Sequence, residues 1–222
     1  KYTYQNPLNI DKPDRWEWHV CPCCPPMFLK IMAAMPGYIY AYQGDNVYVN
    51  LFIGSEVRVP VGKSNSVRLK QLTSYPWHGA VSIQVNPDKA STFSMKVRIP
   101  GWAQGTENPY DLYQSNLKAP VKLKVNQEDV LLRIVDGYAE INREWKKGDH
   151  IELELPMQPR LITANKAVEN LRGQVALASG PIIYCFEDAD NPELQTFKLQ
   201  AQTPLELSHD SNLLNGVNII KC

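Results

Sequence analysis

The chain has 222 residues, 44% of them hydrophobic, 21% charged and 9% aromatic, with 23 Lys and Arg set against 23 Asp and Glu. This composition excludes a disordered or collagen-like chain, and a zero formal charge gives no electrostatic basis for binding nucleic acid or an anionic membrane. No apolar run reaches the ~18 residues of a bilayer span, and 17 prolines, about 8% against a usual ~5%, point to a turn-rich fold. The chain opens at Lys1 with no initiator Met or leader-like segment and closes on Val217–Cys222, which reads as a strand cut short. The expectation is a piece of a longer polypeptide.

The first distinctive segment is Cys21-Pro22-Cys23-Cys24-Pro25-Pro26. Five cysteines, at positions 21, 23, 24, 185 and 222, cannot all pair within one chain. Three of them within four residues make no ordinary disulfide framework, and a core of this size needs no such staples. Chemistry or a metal explains the cluster better. Cys23 and Cys24 directly precede a helical pattern, so their sulfurs meet the partial positive charge of a helix N-terminus, an environment that activates a thiol. Adjacent cysteines are poor partners for each other but can share one zinc ion. Spacing alone leaves open a second reading, inert cysteines buried where the helix begins. No second Cys or His pair follows at zinc-ribbon spacing. His19 is a candidate for contact with metal or substrate, the other reading being a loop histidine beside Trp16 and Trp18. Cys21 reads as structural, the other reading being a stand-in ligand for the metal.

From Pro25 to Met35 the residues Met27, Phe28, Ile31, Met32 and Met35 fall on one helical face. Pro26 suits the first turn and Pro36-Gly37 supplies a stop. The helix is amphipathic and calls for a packing partner. Beyond Gly37 the period becomes two. Val81, Ile83 and Val85 alternate with polar residues, as do Phe93, Met95, Val97 and Ile99, then Val121, Leu123 and Val125, then Ile151, Leu153 and Leu155. Turn signals separate such runs at Gly44-Asp45-Asn46, Gly62-Lys63-Ser64-Asn65, Asn86-Pro87-Asp88, Asp136-Gly137 and Lys147-Gly148-Asp149. Short strands with local turns and no intervening helices predict a mainly β fold, an antiparallel β-sandwich or jelly roll.

Between Gln174 and Phe186 the runs Val175–Ala178 and Ile182–Tyr184 are continuously apolar, which predicts strands covered on both faces, with Cys185 as a core residue. A boundary falls between Pro156 and Asn165, and the weakly alternating tail from Asn191 starts a second β-unit. Trp77, Trp102 and Trp145 lie at strand ends beside Pro or Gly, where packing at a corner is the commoner use and sugar stacking the rarer one. Asp188 and Asp190 lack the pattern of an EF-hand loop and read as a solvated turn.

The run Cys21–Pro26 resembles the β-L-arabinofuranosidases of glycoside hydrolase family 127. The likeness continues through Gly37-Tyr38-Ile39-Tyr40, Val47–Ser55, Tyr75-Pro76-Trp77-His78-Gly79 and Arg98-Ile99-Pro100-Gly101-Trp102-Ala103. It extends further through Gly137-Tyr138, Arg143–Asp149, Leu171-Arg172-Gly173 and Ser179–Tyr184, so that it covers most of the chain in order. The resemblance implies that residues 1–36 are the last piece of an (α/α)6 catalytic barrel, 37–160 a β-sandwich domain, and 161–222 a second, incomplete β-domain or a continuation of the sandwich. It implies that Cys23 is a nucleophile that is also bound to zinc, and that Cys24 is a second zinc ligand. The family's other zinc ligands, in a Glu-x-Cys motif, and its glutamate acid/base match nothing in this sequence.

On this reading the parent is a retaining, zinc-dependent hydrolase of L-arabinofuranosyl glycans. The partner of the β-domains is then their own N-terminal barrel, and the chain by itself is inactive with an incomplete zinc site. The competing class is a non-catalytic β-sandwich module that docks on a barrel or binds glycan. Reduced thiols suit a cytoplasmic enzyme and zinc ligation would protect them in a periplasmic or exported one, so the compartment stays open.

Overall fold

The alternation of Val81, Ile83 and Val85 is realised as a strand that turns all three side chains into a core. The computed structural model describes residues 23–186, 191, 193, 197–200 and 203–221. The chain begins with α1 (Cys24–Ala34) and α2 (Pro36–Ile39), followed by β1 (Tyr40–Gln43), β2 (Asn46–Val49), β3 (Ser55–Val61), β4 (Asn65–Thr73), β5 (Ala80–Pro87) and β6 (Ser91–Arg98). An irregular stretch with two 3-10 turns leads to β7 (Tyr113–Ser115). Then come β8 (Lys122–Val125), β9 (Glu128–Asp129), β10 (Ile134–Val135), β11 (Tyr138–Trp145) and β12 (Asp149–Glu154). The last strands are β13 (Arg160–Ala164), β14 (Val175–Ser179), β15 (Ile182–Tyr184), β16 (Glu206–Asp210) and β17 (Val217–Lys221).

Two sheets face each other, a five-stranded one in the order β1-β2-β6-β11-β10 and a six-stranded one in the order β3-β4-β5-β12-β8-β9. Val47, Phe93, Met95, Val97 and Ile141 of the first meet Leu69, Ile83, Val85, Leu123 and Leu153 of the second in one buried cluster. Burial of each such side chain contributes about 1.5–3 kcal/mol, so period-two patterning selects this sandwich. The pairings are antiparallel except β2 with β6, the one parallel pair among the described residues. Trp145, fully buried at the end of β11, donates its indole N–H to the Phe93 carbonyl at 3.0 Å. It is a packing residue, as its place at a strand end suggested.

The second β-unit is a four-stranded sheet in the order β15-β14-β13-β7 with a separate β16-β17 hairpin. Its edge strand β7 comes from the irregular stretch after β6, so this sheet draws on both parts of the chain. Arg160, on β13, joins it to the sandwich. The guanidinium is 2% exposed and forks onto both carboxylate oxygens of Glu107, at 2.6 and 2.9 Å. It also donates to the Gly180 carbonyl at 2.7 Å and lies over the Trp102 ring. Burial pushes the Glu107 carboxyl up, but the hydrogen bonds and charge of Arg160 outweigh it and hold the group below the usual carboxylate range. Tyr75 lies in the same region. Burial raises its hydroxyl pKa despite a Trp102 hydrogen bond and the Arg160 charge.

The glycines of three sequence motifs permit this close packing. A Cβ on Gly79 would run into the Leu155 carbonyl oxygen, one on Gly101 would sit 2.7 Å from the Thr106 carbonyl oxygen, and one on Gly180 would overlap the Met157 side chain. Gly79 and Gly101 meet backbone, which cannot swing aside. Gly79→Ala is therefore expected to destabilise the chain by about 1–3 kcal/mol or more, read as a lower urea midpoint with unchanged slope. A midpoint shift under ~0.5 kcal/mol would show that the approach is looser than described.

The apolar face of α1, expected to pack, meets no partner among the described residues: Met27, Phe28, Leu29, Ile31 and Met32 are each more than half exposed. Three expectations from sequence need correction. Pro36 does not stop the helical path but opens α2, because proline is well accommodated at a first helical position. The apolar runs of β14 and β15 are not covered on both faces, since Val175 and Ile183 are exposed. β15 ends at Tyr184, which leaves Cys185 exposed outside the strand and not in the core.

Candidate active site

The chemistry-bearing residues sit where α1 begins. Cys23 is the N-cap and Cys24 the first helical residue, with a proline in the opening turn and no acidic side chain there. Proline at that position removes an N–H that the helix would leave unpaired, so the segment folds as a helix directly behind the two sulfurs. Both side chains are exposed, and their Sγ atoms lie 3.8 Å apart. Within the described residues of this chain neither sulfur is buried.

The 3.8 Å spacing has a direct geometric meaning. Two thiolates on one tetrahedral zinc, each ~2.3 Å from the metal, stand about 3.8 Å apart. The donor type and the spacing both fit zinc. The number of donors does not complete it: among the described residues no group of three or more His, Cys, Asp or Glu is placed to hold a metal. His19 and Cys21, the nearby candidates, lie outside the described residues, as do Cys222, Asp188 and Asp190.

Of the three tryptophans considered for sugar stacking, two serve the fold through their rings. Trp145 is buried and Trp102 lies beneath Arg160. The Trp77 carbonyl receives the Asn218 side-chain amide at 2.7 Å, which ties the β16-β17 hairpin to the turn before β5. Sequence reasoning missed the Glu107–Arg160 pair, because the partners stand 53 positions apart and neither belongs to a local pattern. A usable signal was present in the Gly101-Trp102 and Gly180-Pro181 motifs, which flank that pair in space.

Comparison with known proteins gives this geometry its context. Residues 46–157 match the middle domain of the β-L-arabinofuranosidases of glycoside hydrolase family 127, and residues 159–217 match the C-terminal domain of that family. The chain is 29% identical, over 243 aligned positions, to a non-reducing end β-L-arabinofuranosidase of Bifidobacterium longum subsp. longum, an alignment covering 99% of the chain and 34% of that protein. Among solved structures it is similar to a family 127 β-arabinofuranosidase, with a TM-score of 0.88 and 37% identity over 98% of the chain and 35% of the neighbour. It is also similar to a family 127 β-L-arabinofuranosidase from Geobacillus stearothermophilus T6, with a TM-score of 0.82 and 35% identity over 94% of the chain and 31% of the neighbour. The chain thus spans about a third of the length of these relatives.

Proposed function

The chain belongs to glycoside hydrolase family 127, and on that premise we propose that it is the C-terminal part of a retaining glycosidase acting on β-linked L-arabinofuranosyl groups. Cys23 is its nucleophile, and Cys23 and Cys24 are two of its zinc ligands. The observation that carries this reading is the exposed thiol pair at zinc-sharing distance ahead of α1, in a chain whose relatives are named for arabinofuranoside hydrolysis.

Retention of configuration calls for two displacements at the anomeric carbon. In the first, the Cys23 sulfur forms a C–S bond as the glycosidic C–O bond breaks, and the departing oxygen takes a proton from a carboxylic acid on the part of the enzyme outside this chain. In the second, water, deprotonated by the same carboxylate, replaces sulfur and frees Cys23. Cys23 and Cys24 would hold the zinc, which would supply what a free cysteine lacks, sulfur kept deprotonated at neutral pH. Cys24 would orient Cys23 as a second ligand, and the α1 N-terminus adds its partial positive charge.

Assay of the full-length enzyme and of the 222-residue chain on an aryl β-L-arabinofuranoside tests the proposal. The full-length enzyme is expected to release arabinose with retained configuration and to carry stoichiometric zinc, and the chain alone to do neither. Inversion at the anomeric carbon, or turnover by the chain alone, would overturn it.

The exposed α1 face supports the companion proposal that residues 24–34 pack into a helical barrel formed by the rest of the enzyme. Phe28→Asp is expected to leave the unfolding midpoint of the isolated chain within ~0.5 kcal/mol of the parent, because no packing is lost there. The same change should destabilise the full-length enzyme by about 3–5 kcal/mol, the range for losing a buried Phe. Equal effects in both proteins would refute the packing.

A further inference from the structure

Three motifs that the reaction above leaves unused, Gly37-Tyr38-Ile39-Tyr40, Val47–Ser55 and Gly137-Tyr138, meet where the helical segment ends and the sandwich begins. Helix α1 carries the two cysteines at its N-terminal end. Its path runs on into α2, because Met35 keeps right-handed helical dihedrals and its carbonyl accepts the Tyr38 N–H at 2.9 Å. At the far end of that path the Ile39 carbonyl accepts two backbone N–H groups, from Asn50 at 2.8 Å and from Leu51 at 3.4 Å.

Asn50 closes the joint with its side chain. Its Nδ2 donates to the Tyr38 carbonyl at 3.4 Å, and its Oδ1 accepts the Tyr138 hydroxyl at 2.9 Å. A backbone carbonyl can only accept, which fixes the end of the amide that faces α2. One side chain thus links the last turn of the helical segment to strand β11. Both sides of the link are braced. The Tyr138 ring stands edge-on to Tyr48, 5.4 Å between centroids, with Arg98 over its face. The loop that Asn50 opens is held by Gln71, 1% exposed, whose Nε2 donates to the Leu51 and Ile53 carbonyls at 3.2 and 3.0 Å.

The apolar face of α1 meets no other part of the described residues, so within them this joint alone relates the direction of the helix to the sandwich. At ~1.5 Å per residue the helical path from Cys23 to Ile39 is about 24 Å long, and a tilt of about 5° at the joint moves the thiols by about 2 Å. A misplacement of ~1 Å at a reacting atom can cost on the order of 10²-fold in rate. We propose that Asn50, backed by Tyr138, is a positioning residue of the reaction: from a fixed point on the sandwich it sets the direction of the helix that carries Cys23 and Cys24. That role rests on the reading of Cys23 as nucleophile.

Amide hydrogen exchange on the 222-residue chain tests the joint, and kinetics of the full-length enzyme test its consequence. Asn50→Ala is expected to speed exchange of the backbone N–H groups at positions 50 and 51 tenfold or more while β5 and β12 keep the parent's rates. Tyr138→Phe, which keeps the ring and loses only the hydroxyl, should act in the same direction to a smaller extent. On an aryl β-L-arabinofuranoside, Asn50→Ala should lower kcat of the full-length enzyme at least tenfold with KM within threefold of the parent, the pattern of a nucleophile held off line in an enzyme that still binds its substrate. The Asn50→Ala/Tyr138→Phe double variant should be no slower than Asn50→Ala, because the tyrosine acts through the amide. Unchanged exchange in both single variants would overturn the joint, whichever group is the nucleophile. Faster exchange with kcat within twofold of the parent, or a rise in KM at unchanged kcat, would overturn the positioning role. Failure of Cys23 as nucleophile is read separately, from the products formed by variants at position 23.

Discussion

Replacing Cys23 by Ser or Ala in the full-length enzyme is expected to lower kcat by on the order of 10⁴–10⁶-fold, the range seen when a covalent nucleophile is removed. Serine keeps the shape of cysteine but not its chemistry, since a hydroxyl is a poor nucleophile without an adjacent base and a poor ligand for zinc. A loss of rate alone does not separate a nucleophile from a ligand, because removal of either thiol disturbs the shared ion. Rescue by an external nucleophile does. Cys23→Gly with azide and an activated aryl β-L-arabinofuranoside should yield the glycosyl azide of inverted configuration, azide forming the new C–N bond as the aryl oxide departs. Cys24→Gly leaves the sulfur of Cys23 in place, so it should show lower zinc content and no azide product. Cys23→Ala within tenfold of the parent, or azide rescue at position 24 in place of 23, would reverse the roles assigned to the pair.

How much of this was legible in the residues depended on the range of the interaction involved. Alternation at Val81, Ile83 and Val85 or at Ile151 and Leu153 reports a local fact, which side of a strand faces the core, and the sandwich realises it with those side chains inside. The helix after Cys24 was equally legible, because proline placement and a 3.6-residue period are also local. The first strands were marked only by their turns, at Gly44-Asp45-Asn46 and Gly62–Asn65, and β7 was not marked at all, since three residues carry too little pattern. Cys185 was misread because its neighbours Ile182 and Ile183 are apolar, although burial depends on whether another layer arrives to cover them. For the thiol pair the order of residues supplied the donors and the helix, while their separation emerged only from the backbone that carries them.

The joint at Arg160 gives the other large expected effect. Arg160→Ala should destabilise the chain by about 3–5 kcal/mol, because it leaves the Glu107 carboxylate buried and without its cation, and Glu107→Ala should cost a similar amount for the converse reason. The Arg160→Met/Glu107→Leu double variant should lie much closer to the parent, since removing both charges removes the desolvation that each imposed. Acid should act as a gentler form of the Glu107 substitution. The folded-state pKa of Glu107 lies below its unfolded value, so the contribution of the pair is fully present above the unfolded carboxylate range near ~4.3 and fades as pH falls through the lower folded value. Urea midpoints measured from pH 7 downward should therefore fall less steeply in Glu107→Gln than in the parent, from an already lower start. Trp102, lying under the guanidinium, supplies a fluorescence signal for the same event. Additive single and double variants, or identical acid profiles for the parent and Glu107→Gln, would show that the four-stranded sheet is held to the sandwich by its apolar contacts and not by this pair.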